Sequence, residues 1–150
     1  MLDGVGVAME KGLYELKIDP EFKNFLPALS EEKTQNLRDS LIANGCIDPI
    51  VTWNGIIIDG HNRYGICQEL KIPFDYVEKD FADRDEAKFF MLQTQVCRRE
   101  LTVFQKCEIV YPFEAFVAEQ VEKQRRKAIS IYRKNGETIA FPQNMNKELK

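Results

Sequence analysis

The sequence feature that most constrains the fold is the stretch over residues 50–70, which reads IVTWNGIIIDGHNRYGICQEL. Two β-branched runs flank Asn54-Gly55, a residue pair that tolerates the positive φ angles of a tight hairpin turn. The second run ends at Gly60, where apolar residues begin to recur at helical spacing. The stretch therefore predicts two antiparallel strands followed directly by a helix.

The rest of the chain predicts further helices and short strands around this unit. Strands are predicted over residues 13–18 and 72–81, a loop over 19–30, and helices over 31–44, 61–71, 83–97 and from 103 onward. Ser30 is the predicted N-cap and Gly45 the end of the helix over 31–44. Thr102 begins a capping-box pattern, and Pro112 is expected to kink or split the last helix.

The apolar positions of the predicted helices indicate which side chains face inward. These are Leu37, Leu41, Ile42, Tyr64, Cys67, Leu70, Ala87, Phe90, Met91 and Thr94. Later apolar residues at helical spacing are Phe104, Cys107, Val110, Tyr111, Phe113, Phe116, Val117 and Val121. The pattern predicts a small mixed sheet with helices between its strands, followed by a helical half.

The cysteines and the hydropathy pattern indicate an intracellular protein. Cys46, Cys67, Cys97 and Cys107 form no C-x-x-C pair, and one histidine is too few for a zinc site of the usual kind. The four thiols are predicted to be small buried side chains in a reducing compartment. No apolar run approaches the roughly 20 residues that span a bilayer, and the N-terminus lacks the pattern of a signal peptide. We therefore expect a cytoplasmic location and neither a membrane nor a metal partner.

Charge is divided unevenly along the chain. Residues 121–150 carry eight Lys or Arg and three Asp or Glu, a net charge of +5 within a chain whose total is −3. This basic C-terminal side predicts DNA contacts. The candidate DNA-binding residues are Lys123, Arg125, Arg126 and Lys127. A solvated helix face explains the same charges without a DNA partner.

The strand-to-helix corner at residues 60–63 has the composition of an anion site. The first N–H groups of a helix have no partner within the helix and, with the positive end of the dipole, attract an anion. Gly60 allows close backbone approach, Arg63 offers a forked contact to phosphate, and His61 and Asn62 add donors. The alternative is an ordinary helix start with an exposed arginine.

Arg98 and Arg99 form a second candidate binding element at the end of the helix over 83–97. Two cations at that position also compensate the helix dipole, which is the structural alternative. The functional interpretation requires Arg98 to fold back toward Gly60. The residues contain no nucleophilic triad, and the only candidate catalytic residue is His61.

Three segments together resemble the N-terminal domain of the ParB-like proteins, whose fold is shared with sulfiredoxin. They are GCIDPIV at 45–51, IIIDGHNRYGIC at 56–67 and RRELT at 98–102. The pairing of GHNRY with the later RREL is most similar to ParB-like proteins of phages and mobile elements.

The resemblance implies an α+β ParB/sulfiredoxin-like domain over residues 10–101. A helical extension is expected at 102–135 and a polar tail at 136–150, on the approach to a DNA-binding segment. Its implied ligand is CTP with Mg²⁺, bound where Gly60, Arg63 and Arg98 match the family motifs. A homodimer that binds DNA in plasmid partition is the implied assembly.

Several positions depart from the family motifs. His61 replaces the acidic residue that is linked to hydrolysis, Asn62 replaces an arginine, and Thr94 and Gln95 stand near the acidic residue and asparagine of the third element. These departures speak against CTP hydrolysis and metal binding. In sulfiredoxin a catalytic cysteine occupies the position that matches His61. The sulfiredoxin reaction therefore has no thiolate nucleophile at this position of the chain.

Three hypotheses follow from the sequence. The first is a nucleotide-sensing or phosphate-sensing domain coupled to DNA binding and dimerisation. The second is a phosphoryl-transfer or nucleotide-hydrolysing enzyme on the same fold, with His61 as acid, base or phosphate acceptor. The third is a dimerisation and DNA-binding module without a ligand.

Overall fold

The computed structural model of the protein describes residues 10–98 and 100–134. Three strands form one mixed sheet in the order β2-β1-β3: β1 (Ile50–Trp53), β2 (Ile56–Asp59) and β3 (Tyr76–Glu78). The helices of the described residues are α1 (Pro20–Lys23), α2 (Glu31–Asn44), α3 (His61–Leu70), α4 (Arg84–Val96), α5 (Val103–Val110) and α6 (Glu114–Lys134). The architecture is the predicted α+β class, a small sheet with flanking helices and a helical C-terminal part.

The hairpin between β1 and β2 forms as its turn residues predict. Asn54 and Gly55 have φ angles of 51° and 75°, and the two strands pair antiparallel. Glu78 of β3 secures the turn, because its carboxylate accepts hydrogen bonds from the Thr52 hydroxyl (2.6 Å) and from the Asn54 N–H. β3 lies parallel to β1 on its other side, after the crossover through α3.

The sheet is covered on both faces. Ile57 belongs to a cluster with the buried residues of α2 and α3, whereas Ile58 packs with α1 and α4. Helices on both faces explain why β2 is a continuous apolar run rather than an alternating one. The end of β2 therefore lies between two packed layers, and the corner that follows it is held in place by both.

The predicted strand over residues 13–18 is not a continuous strand. Gly12 pairs with Phe74, and Lys17 pairs with Ile56, as two isolated bridges. Between them the N–H of Leu16 donates to the Tyr64 hydroxyl at 3.1 Å, and the same hydroxyl lies 3.3 Å from the Leu16 carbonyl. A side chain of α3 thus takes the place of a neighbouring strand.

Three other predictions are wrong in detail. The strand over 72–81 is limited to the three residues of β3, after Pro73, which has no N–H to donate. The loop over 19–30 contains the short helix α1, which Asp19 caps by accepting from the Glu21 N–H at 2.9 Å. Ile42 is 63% exposed, because α2 buries only Leu41 and half-buries Leu37.

The predicted helix boundaries at Ser30 and Thr102 are confirmed. The Ser30 hydroxyl accepts from the Lys33 N–H at 3.3 Å, and Thr102 forms a capping box with Gln105. Pro112 lies in a 3₁₀ turn, Tyr111–Phe113, which splits α5 from α6. Each of these signals acts within a few residues of the chain.

The prediction of four buried cysteines holds for two of them. Cys46 and Cys67 are fully buried in the cluster beneath α3, whereas Cys97 and Cys107 are exposed. Cys97 lies at the end of α4, and Cys107 lies on the apolar side of α5, which no described residue covers. Burial, together with the neighbouring Cys46 thiol, raises the pKa of Cys67 to about 12, so this thiol is unreactive at neutral pH.

Candidate functional site

The corner between β2 and α3 is built around the backbone of Gly60. This residue is the N-cap of α3 with φ 98° and ψ 23°, a left-handed conformation that favours glycine. A Cβ added to it would lie 2.8 Å from Arg63 Nη2 and 2.8 Å from Ile50 Cδ1. The backbone conformation therefore favours glycine, and a Cβ here would also push against the ends of the Arg63 and Ile50 side chains.

Arg63 folds back over this corner and is anchored along one edge. Its Nη2 donates to the Pro49 carbonyl at 3.3 Å and to Asp59 Oδ2 at 3.4 Å, while its Nη1 lies 3.8 Å from Asp48 Oδ2. The side chain is 21% exposed, and its Nε is buried without a hydrogen-bond partner among the described residues. The guanidinium is thus positioned by three oxygen atoms and retains an unsatisfied donor.

His61 begins α3 and is held as a neutral imidazole. Burial lowers its pKa, the Asp59 carboxylate opposes that shift, and the Lys23 ammonium adds to it. Its Nε2 is buried and has no hydrogen-bond partner among the described residues. His61 therefore offers a hydrogen bond rather than a positive charge, and the next residue, Asn62, is exposed.

The structure places the second predicted binding element only in part. Arg98 is exposed directly after Cys97, which ends α4, and it has no hydrogen bond or ion pair with a described residue. Arg99 lies outside the described residues. The helix that precedes Arg98, α4, packs against Ile58 of β2 through Ala87 and Met91. That contact lies in about the first two turns of α4, so it does not place Arg98 at the Gly60 corner.

The four basic residues predicted to contact DNA all have carboxylates within 4.0 Å on α6 or α4. Lys123 lies 3.7 Å from Asp85 and 3.2 Å from Glu119. Arg125 and Arg126 lie 3.9 and 3.1 Å from Glu122. Lys127 lies 4.0 Å from Glu86. Lys123 and Lys127 thereby link α6 to α4. The pairs with Glu119 and Glu122 are helix neighbours that the sequence spacing indicates, whereas the pairs with Asp85 and Glu86 arise only from the fold.

Two groups at the corner were missed by reasoning from sequence. Asp48, in the loop before β1, and Lys23, at the end of α1, are separated from Gly60 by 12 and 37 residues. The resemblance to the family contains the segment around Asp48 but gives that residue no role. No sequence signal identifies Lys23, because the short helix that carries it was not predicted.

Metal and membrane features are absent from the part of the chain that the structure describes. Within residues 10–98 and 100–134, no three His, Cys, Asp or Glu side chains are grouped so that they could hold a metal ion. No helix in these residues is long and apolar enough to span a bilayer.

Comparisons with known proteins give structural matches only. No protein-family model and no curated protein matches the chain. Two solved structures of pNOB8-like ParB N domains match at TM-scores of 0.62, with 22% and 24% identity, over 87% of this chain and 53% and 50% of theirs. The chain therefore spans about half the length of these two proteins.

A third match comes from Caulobacter crescentus. It is the C-terminally truncated chromosome-partitioning protein ParB complexed with CTP-γ-S, with a TM-score of 0.55 and 18% identity, over 73% of this chain and 66% of that one. At these identities the matches establish the fold. The described chain has the fold of a ParB-like N-terminal domain.

Proposed function

We propose that the protein is a ParB-like partition or regulatory protein whose corner at residues 60–63 binds the phosphates of a nucleotide of the CTP type. The observation that carries this proposal is the left-handed Gly60, which leaves room for Arg63 above the N-terminus of a ten-residue helix. The Caulobacter protein of the same fold is complexed with CTP-γ-S. The corner thus combines backbone donors, a dipole and a guanidinium in one place.

The side chains at the corner fit an anionic ligand. The buried Nε of Arg63 and Nε2 of His61 both lack partners among the described residues. A buried polar atom without a hydrogen bond is unfavourable by about 1–3 kcal/mol. Neither atom is open to solvent in this arrangement, so the Arg63 or His61 side chain would have to turn for a ligand oxygen to reach it.

Magnesium would depend on the ligand for most of its coordination. Asp59 is the less exposed of the two carboxylates beside Arg63, and Mg²⁺ in nucleotide sites is commonly held by one or two carboxylates together with phosphates and water. When bound, the ion would neutralise phosphate charge next to Asp59.

We further propose that nucleotide binding is coupled to self-association and DNA binding through the helices that follow Leu101. Val103, Phe104 and Tyr111 are 79%, 71% and 78% exposed, which is a large apolar surface for a short helix and the turn that follows it. A ligand shifts such a coupled equilibrium only by its difference in affinity for the two arrangements. The proposed DNA contacts come from four basic residues of α6, Lys123, Arg125, Arg126 and Lys127.

The test is calorimetric titration of the full chain with CTP, ATP and GTP, with and without Mg²⁺. Arg63→Gln should weaken nucleotide binding roughly tenfold to hundredfold, because a hydrogen bond to a charged group contributes about 1.5–3 kcal/mol. Arg38→Gln is the matched control, since Arg38 is also a partly exposed arginine in an ion pair, with Glu69 at 2.9 Å, on α2 and α3. Equal weakening in both variants would contradict a phosphate contact by Arg63.

Two other functions have specific observations in their favour. The neutral His61 imidazole could accept a proton, which favours a phosphoryl-transfer or hydrolytic enzyme. His61→Ala would then abolish turnover and leave nucleotide binding largely intact.

Arg63 already has carboxylate partners, which favours a dimerisation and DNA-binding module without a ligand. The absence of heat with every nucleotide would support that module.

A further inference from the structure

Asp48 is the exposed carboxylate of the Gly60 corner. It lies in the loop that joins α2 to β1, and its side chain is 79% exposed, whereas that of Asp59 is 20% exposed. The loop has a defined shape, because the Cys46 thiol donates to the Asp48 carbonyl at 3.4 Å and Pro49 follows. The Asp48 backbone is thereby fixed, and its carboxylate lies at the solvent side of Arg63.

The two ends of the Arg63 guanidinium have different partners. Nη2 is directed inward, to the Pro49 carbonyl and to Asp59. Nη1 lies 3.8 Å from Asp48 Oδ2, so the more solvent-accessible carboxylate lies next to this nitrogen. A phosphate oxygen that approaches from solvent would meet Nη1 beside Asp48, while the Pro49 and Asp59 contacts could persist.

We propose that Asp48 is an internal competitor for the phosphate, a carboxylate that occupies the ligand's place on Arg63 and sets the affinity of the corner. This inference rests on the proposed phosphate-binding function. It assigns Asp48 a role opposite to that of Arg63, because removal of its charge should strengthen binding rather than weaken it.

The charges at the corner support the same conclusion. Asp48 and Asp59 carry two negative charges against the single positive charge of Arg63, and His61 is neutral because burial lowers its pKa. Lys23 is the additional cation whose charge reaches His61. An incoming phosphate is therefore repelled by two carboxylates, and Asp48 is the one that can move into solvent without uncovering a half-buried charge.

The expected size of the effect follows from the exposure of Asp48. Measured contributions of exposed ion pairs are roughly 0.2–1 kcal/mol, so Asp48→Asn should tighten nucleotide binding about 1.5-fold to fivefold at low salt. The gain should shrink as salt is added, because an exposed charge is screened. Asp48 therefore adjusts the affinity and does not block the site.

The experiment compares Asp48→Asn with the matched control Asp39→Asn. Asp39 is an exposed carboxylate of α2 that accepts a hydrogen bond from Gln35 at 2.8 Å, and its loss changes the net charge of the chain equally. The dissociation constants of CTP and pyrophosphate are measured by calorimetry in EDTA and in Mg²⁺. Both variants should unfold within about 2 °C of the wild type, since surface substitutions usually change stability by less than about 0.5 kcal/mol.

The outcomes separate the two proposals. Tighter binding by Asp48→Asn but not by Asp39→Asn supports the competitor role. Binding by the wild type that Asp48→Asn leaves unchanged or weakens overturns this inference and leaves the proposed function standing. Equal tightening in both variants overturns it as well, because the effect is then one of net charge. The absence of binding in the wild type and in Asp48→Asn overturns both proposals.

Discussion

At the scale of single residues, the corner depends on the missing side chain of Gly60. Three glycines of the described chain have positive φ angles, but only Gly60 has heavy atoms within 3 Å of the position that a Cβ would take. Gly55 has φ 75° and nothing within 4 Å of that position. The two glycines therefore separate the effect of backbone conformation from the effect of space.

We predict that Gly60→Ala destabilises the protein more than Gly55→Ala. A left-handed backbone is unfavourable by roughly 1–2 kcal/mol for a residue with a Cβ, and this applies to both variants. At Gly60 the new methyl group must also push back Arg63 Nη2 and Ile50 Cδ1, and because both are side-chain ends the added loss should be near the low end of overpacking, about 1 kcal/mol. Urea denaturation measures both free energies of unfolding.

A second readout links this prediction to the proposed site. Gly60→Ala should also weaken nucleotide binding, since the methyl group would occupy the space of Arg63 Nη2. Gly55 lies in the hairpin turn and should not affect binding. Equal free energies of unfolding for the two variants would show that Arg63 is not packed against Gly60.

At the scale of the elements, an ionic cluster joins α1 to α4. Arg84 lies 2.7 Å from Asp19 and 2.6 Å from Glu21, and its guanidinium is 4.5 Å from the centre of the Phe22 ring. Lys88 adds an ion pair with Glu21 at 2.5 Å. A four-residue helix is not stable alone, so α1, and with it Lys23, depends on these contacts.

This cluster predicts a loss of stability in acid. The Arg84 guanidinium holds the pKa of Asp19 below its ordinary value of 3.8, and Lys88 followed by Arg84 lowers that of Glu21 from 4.5. Both carboxylates have a lower pKa in the folded protein than in the unfolded chain, so their ion pairs stabilise the fold when the pH is above their ordinary pKa values. That stability is lost as the pH falls through the folded-state values, in a window of about pH 5 to pH 2.

The measurement is urea denaturation across that pH window for the wild type, Arg84→Gln and Arg38→Gln. Arg84→Gln should flatten the acid slope, because Asp19 loses its main partner and Glu21 loses one of two. Arg38→Gln removes only the contribution of Glu69, whose pKa Arg38 lowers. An acid slope in Arg84→Gln identical to that of the wild type would contradict the role of the cluster.

The elements also show which features a sequence can predict. The turn at Asn54-Gly55 and the caps at Ser30 and Thr102 were predictable, because each involves hydrogen bonds or φ angles within a few residues. The start of α1 has a local signal too, the Asp19 cap followed by Pro20, but the contacts that stabilise its four residues come from Arg84, more than 60 residues away in sequence. The same reason hides the links from Lys123 and Lys127 to α4.

The candidate site divides in the same way. The glycine turn and Arg63 were predictable from the local strand-to-helix pattern and the resemblance to the ParB-like domains. Asp48 and Lys23 reach the corner only through the tertiary fold, and the burial that neutralises His61 is likewise a property of the packed structure.

At the scale of the whole molecule, the three most exposed large apolar side chains follow the sheet-bearing part of the described chain. Val103, Phe104 and Tyr111 lie on α5 and the turn after it. The Phe25 ring packs against the end of that turn and the start of α6, 5.0 Å from the ring of Phe113 and 5.7 Å from that of Phe116. The side of this helical part that faces Phe25 is thus covered, whereas the side that carries Val103, Phe104 and Tyr111 is exposed.

We predict that Phe104→Glu weakens or abolishes self-association. A charge in an apolar interface must be desolvated without a partner, which strongly opposes association. Ile42→Glu is the matched control, because Ile42 is also an apolar helix residue and is 63% exposed on α2. Sedimentation analysis of the wild type should show a dimer that Ile42→Glu retains. A wild type that stays monomeric at high concentration, with or without nucleotide, would contradict the dimer.

The unequal burial of the cysteines makes the junction of α4 and α5 accessible to spectroscopic labelling. A thiol-reactive spin label or fluorophore should attach at Cys97 and Cys107, while Cys46 and Cys67 are protected inside the protein. The two labelled positions lie on either side of the segment that joins the sheet-bearing part to the later helices. A change in the interlabel distance on titration with CTP would report the proposed coupling without any engineered cysteine.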